Sequence, residues 1–294
     1  MPVLIYGCRK AGTTLFQRLV DGADGIFVHP SETKIKYFLN VQRKTEDDQL
    51  PFTSTKFESV FPKIFRSAKK GWQQVDSHAY RELIRKDYKR IRNLKDFIDL
   101  DIEASIKSMK FEKDDFNDWA IKEISGDTNA IFTSFLQSYP NGKIITIVRD
   151  PRQNSNSIYR EKIKTNSSFS HKKNRFIASE PYRIFSNVYS FLDNPQVYTV
   201  CYEDVVSSTE DVMRGVSNFI NVPYSDTLTR PTIKGELCKV PSSSVKTQKV
   251  FKKEKSPSYG IKWNQYFHIR YQEFRNRDKI ESYTDLRNNI TYSS

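Results

Sequence analysis

The 294-residue chain carries only three cysteines, Cys8, Cys201 and Cys238. Their odd number and wide spacing exclude a disulfide framework and a paired-cysteine metal site. Long apolar runs are missing as well: none approaches the ~20 residues that a membrane-spanning helix needs. The first apolar segment begins at Val3, which leaves no room for a secretory leader, so residence in a reducing cytoplasm is the expectation. Acidic residues are in deficit, with 35 Asp and Glu against 48 Lys and Arg, a net charge of +13. That excess points to anionic partners: nucleotides, nucleic acid, sulfated or carboxylated polymers, or an acidic membrane surface. No internal repeat is visible, and oligomeric state cannot be read.

What is present is a core and a turn. Twenty Phe and 16 Tyr supply apolar bulk for a sizeable interior. Val3 to Tyr6 is a run of strand formers, Gly7 and Gly12 bracket a turn carrying Arg9 and Lys10, and Leu15, Phe16, Leu19 and Val20 then fall at helical spacing. Strand, glycine turn and helix N-terminus together form an anion cradle: backbone N–H groups converge and the helix end adds partial positive charge. The spacing resembles the P-loop, G-x-x-x-x-G-K-[ST], with one departure. Gly7, Gly12 and Thr14 fit, but Thr13 stands where the phosphate-binding lysine belongs. The cations have moved into the turn, and the equipment for splitting a triphosphate is incomplete.

Further along, Gly25 to Val28 reads as a second strand ended by His29-Pro30-Ser31-Glu32. Ser31 is the expected N-cap of a helix through Ile35, Phe38 and Leu39, which puts Glu32 in its first turn. Residues 78 to 109 show helical spacing twice, and Trp119 to Lys122 reads as a strand ending in a cation. Ala130 to Tyr139 is a helix. Lys143 to Val148 is the clearest strand, apolar and β-branched throughout, as burial on both faces requires. Asp150 as N-cap and Pro151 at the first helical position start the next helix. Residues 164 to 179 read as a basic loop, Pro181 to Leu192 as a helix, and Val197 to Tyr202 as a strand. A helix follows through Ile220, then a loop over 223–262 with a basic run from Lys246 to Lys255, then a helix from Trp263 to Phe274. Alternating strands and helices predict a three-layer α/β/α fold around a mostly parallel sheet, with ligands at the carboxyl ends of the strands. The expectation is one domain over 1–294, with its core at 3–40 and 119–223, a helical insert at 41–118 and a C-terminal segment at 224–294.

Two stretches taken together resemble the sulfotransferase family. One is Arg9-Lys10-Ala11-Gly12-Thr13-Thr14 after the first strand; the other is Ile144 to Arg152, with Ser157 eight residues beyond Arg149. The resemblance extends to Tyr202-Glu203-Asp204-Val205-Val206 and to Phe219-Ile220-Asn221-Val222-Pro223. It implies transfer of a sulfuryl group from 3′-phosphoadenosine 5′-phosphosulfate (PAPS) to a hydroxyl or amine, with 3′,5′-ADP (PAP) as product and no metal. By position, Arg9, Lys10, Ala11, Gly12, Thr13 and Thr14 hold the 5′-phosphosulfate. Arg149 and Ser157 hold the 3′-phosphate, and Tyr202 joins the nucleotide site. The competing role for Arg149 is an ion pair with Asp150 or Glu161 at the helix start.

The resemblance is closer to the tyrosylprotein and heparan members, which place a glutamate base after the first helix, than to the cytosolic members that use a histidine. Glu32 fits that position and His29 is the reserve. Lys122, with Lys10, is positioned to stabilise charge on the leaving nucleotide. One departure is the R-K-G-x-x-G segment that closes the 3′-phosphate site in cytosolic members. Only Gly260 and Trp263 hint at it, and Ser242–Ser244 with the basic run are the available substitutes. The acceptor implied is a small molecule, glycan or peptide, with basic loops that suit an anionic one. Two other classes compete: a P-loop kinase, against which Thr13 counts, and a non-enzymatic module binding nucleic acid or another polyanion, which leaves the Arg149–Ser157 spacing without a role.

Overall fold

A computed structural model describes residues 1–43, 75–111, 116–164, 171–238, 245–246, 249–250 and 263–292. Residues 44–74 of the expected insert lie outside it, as do 165–170 of the basic loop, Ser242–Ser244, Gly260 and Lys252, Lys253 and Lys255 of the basic run.

A five-stranded parallel sheet flanked by helices forms the centre, with strand order β2-β3-β1-β4-β5. Its strands are β1 (Pro2–Gly7), β2 (Ile26–Glu32), β3 (Asp118–Ile124), β4 (Lys143–Val148) and β5 (Val197–Cys201). This is the doubly covered α/β architecture that the alternating pattern implies. β4 is buried from Ile144 to Val148, as its unbroken apolar run requires.

Contacts divide the chain into two compact units. One comprises Met1–Ile5 and Ala23–Ile144. It holds β2, α2 (Ile35–Gln42), α3 (Ser77–Asp87), α4 (Leu94–Ser108), β3 and α5 (Thr128–Ser138). Its interior is aromatic: Phe38 lies against Phe97 with ring centroids 4.9 Å apart, and Phe27 meets Phe116 edge-on at 5.4 Å. Burying one such ring stabilises the fold by about 1.5–3 kcal/mol.

Two sequence expectations are corrected in this unit. β2 does not stop at Val28 but runs through Pro30 to Glu32, so Ser31 lies within the strand and Lys34 takes the N-cap position of α2. The register explains it. Val28 pairs with Ala120 and Glu32 with Lys122, so β2 carries extra residues opposite β3 and bulges. A proline, with no N–H to donate, is tolerated at such a bulge. The helix therefore starts later, at Ile35, after Lys34 in the left-handed region at φ 64°, and Glu32 ends a strand instead of opening a helix.

The second unit comprises Tyr6–Gly22 and Ile145–Ser294. It holds α1 (Thr13–Val20), α6 (Pro151–Lys164), α7 (His171–Tyr189), β5, α8 (Tyr202–Ser207), α9 (Thr209–Ile220), α10 (Trp263–Arg275) and α11 (Arg277–Asn289). Asp150 caps α6 as expected, accepting from the Arg152 N–H at 2.8 Å. Much of the supposed basic loop is helix: α7 begins at His171 and carries Pro181 inside it. Interior proline is costly. Here packing overrides it, because Ile177, Ala178, Tyr182 and Phe185 are all buried and the Ser155 hydroxyl of α6 bonds the Ala178 carbonyl at 3.1 Å.

Candidate active site

The turn after β1 is shaped by close backbone approach. A Cβ on Gly7 would lie 2.7 Å from the Ile147 carbonyl oxygen of β4, so only glycine fits there. The chain then folds back, with the Ala11 N–H bonded to the Cys8 carbonyl at 3.0 Å. Lys10 (φ 65°) and Gly12 (φ 102°) both take left-handed backbone. Against Gly12 packs the Tyr202 ring, which a Cβ would approach to 2.3 Å. α1 starts at Thr13 with no side-chain cap and no acidic residue in its first turn. An uncapped first turn presents unclaimed N–H groups and the positive end of the helix dipole, the arrangement that receives an anion. Thr13 is buried and Thr14 is exposed.

Arg149, just past β4, is held on two sides. Its guanidinium lies over the Tyr202 ring at 4.3 Å, and Nη1 donates to the Lys10 carbonyl at 3.0 Å. Nε is buried without an acceptor among the described residues. The competing ion pairs are absent: Asp150 is gripped by Arg152, with Nη2 to Oδ2 at 2.6 Å, and Glu161 is taken by Lys10 at 2.9 Å. Arg9 likewise points to a carboxylate, reaching both oxygens of buried Glu180 at 2.9 and 3.2 Å. Both cations of the turn are thus engaged by α6 and α7. Ser157 sits half-buried on α6.

Two residues of this unit were given no role from the sequence. Glu203 accepts from the Asp150 N–H at 3.3 Å and from the Tyr283 hydroxyl of α11, joining the Arg149 turn to the last helix. Burial and then Glu203 push the Tyr283 phenol well up. Arg160, on α6, is the other, and burial and then Arg149 hold its guanidinium below its ordinary value. Glu203 stands in the Tyr202–Val206 stretch, which assigned it no role, and no motif marks Arg160.

Glu32, Lys122 and His29 lie in the first unit. Glu32 is 25% exposed and touches Lys34. Burial, with Lys36, pushes the Lys34 ammonium down to about 8, against the pull of Glu123. Lys122 is buried opposite Glu32, and its carbonyl accepts the Thr33 N–H at 3.0 Å. His29 is wholly buried. Its Nδ1 meets the Ser31 backbone, and its Nε2 lies 3.3 Å from Asp101, which also accepts from Tyr80.

A parallel sheet whose first strand runs into an uncapped glycine turn defines an α/β protein of the P-loop-like class. Within that class the chain belongs to the sulfotransferase family, whose sequence model matches residues 2–226. It is an enzyme of sulfuryl transfer. Solved structures share the fold. The sulfotransferase domain of the Synechococcus PCC 7002 olefin synthase aligns with a TM-score of 0.55 at 15% identity, covering 79% of this chain and 77% of its own. The sulfotransferase domain from the curacin biosynthetic pathway aligns with a TM-score of 0.52 at 16% identity, covering 92% and 97%. No curated protein matches the chain by sequence. Among the described residues, no helix is long and apolar enough to cross a membrane.

Proposed function

We propose that the chain transfers the sulfuryl group of PAPS to a hydroxyl or amine of a small-molecule, glycan or peptide acceptor. The observation that carries the choice of donor is Arg149: a guanidinium pre-set by Tyr202 and the Lys10 carbonyl, with a buried N–H unclaimed, beside an uncapped helix start. PAPS has two separated anionic groups, and the residues present fit both. The first turn of α1, Gly12, Thr13 and Thr14 suit the 5′-phosphosulfate, joined by Arg9 and Lys10 once they exchange Glu180 and Glu161 for the ligand. Arg149 and Ser157 suit the 3′-phosphate, two of whose oxygens can accept the paired N–H groups of a guanidinium fork. Tyr202 holds Gly12 and Arg149 at once. When bound, PAPS supplies the activated sulfuryl group. That group carries less charge than a terminal phosphoryl group, which lowers the demand for a metal.

For the base we favour Glu32 over His29. Glu32 is a partly exposed carboxylate at a strand end, whereas His29 is sealed and held by Asp101. Lys34 contacts Glu32 at rest and must release it for proton transfer. Lys122 is our candidate for stabilising charge on the leaving oxygen. The free thiols of all three cysteines fit a reducing cytoplasm.

The test is release of PAP from PAPS over a panel of hydroxyl and amine acceptors. Glu32→Gln is expected to bind PAP normally and to lose about a hundredfold or more in turnover. Undiminished turnover removes Glu32 as the base. No release above the enzyme-free rate with any acceptor contradicts the transfer.

A further inference from the structure

We infer that buried His29 and Asp101 are positioning residues for the Glu32 carboxylate, acting through the Ser31 backbone; this rests on Glu32 as the base. The strand register shows what needs positioning. Between Val28 and Glu32, β2 advances four residues while β3 advances two, from Ala120 to Lys122. Ser31 falls in that gap, and a buried N–H there needs an acceptor. The His29 ring supplies it: the Ser31 N–H donates to Nδ1 at 3.2 Å, and the Ser31 carbonyl oxygen lies 3.1 Å from the same nitrogen. A side chain bonded to the peptide two residues on fixes the path of the chain between them, and Glu32 is the next residue.

The other side of the ring is anchored. Nε2 lies 3.3 Å from the Asp101 carboxylate of α4, and the Tyr80 hydroxyl of α3 donates to the same oxygen. Burial, then Asp101, pushes the Tyr80 phenol well up, so it stays a donor. Two helices thus hold one ring against one strand. A carboxylate and an imidazole buried together cost stability unless each is paired. Asp101 stands one turn beyond Phe97, whose ring packs on Phe38, so the polar pair interrupts an apolar interior. His29 and Asp101 are both wholly buried and out of an acceptor's reach, whereas Glu32 is 25% exposed. Their influence on transfer has to pass through the strand.

Substitution at His29 separates positioning from packing. Asparagine keeps an acceptor for the Ser31 N–H but is too short to keep the Asp101 contact, and alanine gives up both. Turnover is read as PAP release from PAPS with the panel acceptor that wild type uses fastest. His29→Ala is expected to lower it about tenfold or more, to leave PAP affinity within about twofold of wild type, and to open the Ser31 N–H to hydrogen exchange. His29→Asn is expected to restore turnover to within about threefold of wild type and to keep that N–H protected, although both variants lower the urea midpoint. Turnover undiminished in His29→Ala, or lost equally in the two variants, overturns the role. Tyr80→Phe, which removes a donor from Asp101 without touching β2, serves if His29→Ala does not fold. Its turnover is expected to fall about threefold or more, and unchanged turnover overturns the role. Glu32→Gln reads the underlying assignment separately. In that background His29→Ala should add no further loss, and a further loss overturns the role. If Glu32→Gln alone keeps full turnover, the base assignment falls and the inference with it.

Discussion

Gly12 is the residue on which the cradle turns. Its φ of 102° is one that side-chain-bearing residues rarely adopt, and the space for a Cβ is filled by the Tyr202 ring. Gly12→Ala is expected to cost about 1–3 kcal/mol, part from left-handed strain and part from the clash. A double-mutant cycle with Tyr202→Ala separates the parts, because without the ring only the strain remains. Urea midpoints should show a smaller cost in the Tyr202→Ala background. Equal costs in both backgrounds would mean the ring is not what excludes a side chain. At this scale the glycine turn and the place of Arg149 after β4 were legible. Gly7, Gly12, Arg149 and Ser157 sit at spacings that follow strand ends, and strand ends can be read from runs of β-branched residues. The role of Glu203 was not legible. It depends on which helix faces the Arg149 turn, and no local pattern encodes that.

Elements were read best where one force dominated. β4 is apolar along its whole length, and α1 follows two glycines with a clean stripe, so both were placed to within a residue or two. Proline misled twice. Pro30 suggested the end of β2, but a bulge absorbs it and carries the strand to Glu32. Pro181 suggested a helix start, but burial of the residues around it extends α7 back to His171. α11 gave no stripe at all, since Tyr283 alone among its residues is buried. It is attached through polar contacts instead. Tyr283 donates to Glu203, and Arg287 donates twice to Asp204, at 3.0 and 3.1 Å. Tyr283→Phe leaves a buried carboxylate oxygen short of its donor, an expected loss of about 1–3 kcal/mol in stability. Because Glu203 also holds the Asp150 N–H, PAP affinity should weaken along with the unfolding midpoint. A midpoint equal to wild type would mean that this link does not hold α11 in place.

For the molecule as a whole, charge and fold narrow the chemistry in different ways. The +13 net charge fits any polyanion, whereas the uncapped turn and the pre-set Arg149 supply two particular places for anionic groups. Thr13 in place of the P-loop lysine, an apparent defect in a triphosphate site, is in keeping with a donor whose terminal group is a sulfuryl. The central claim is therefore one of nucleotide choice. It is tested most directly by calorimetric titration of the wild-type protein with PAP in the absence of divalent metal, repeated with ATP and Mg²⁺. The account expects PAP to bind in the micromolar range and ATP with Mg²⁺ not to displace it. Binding of ATP with Mg²⁺ in preference to PAP, or no binding of PAP up to millimolar concentration, would contradict it.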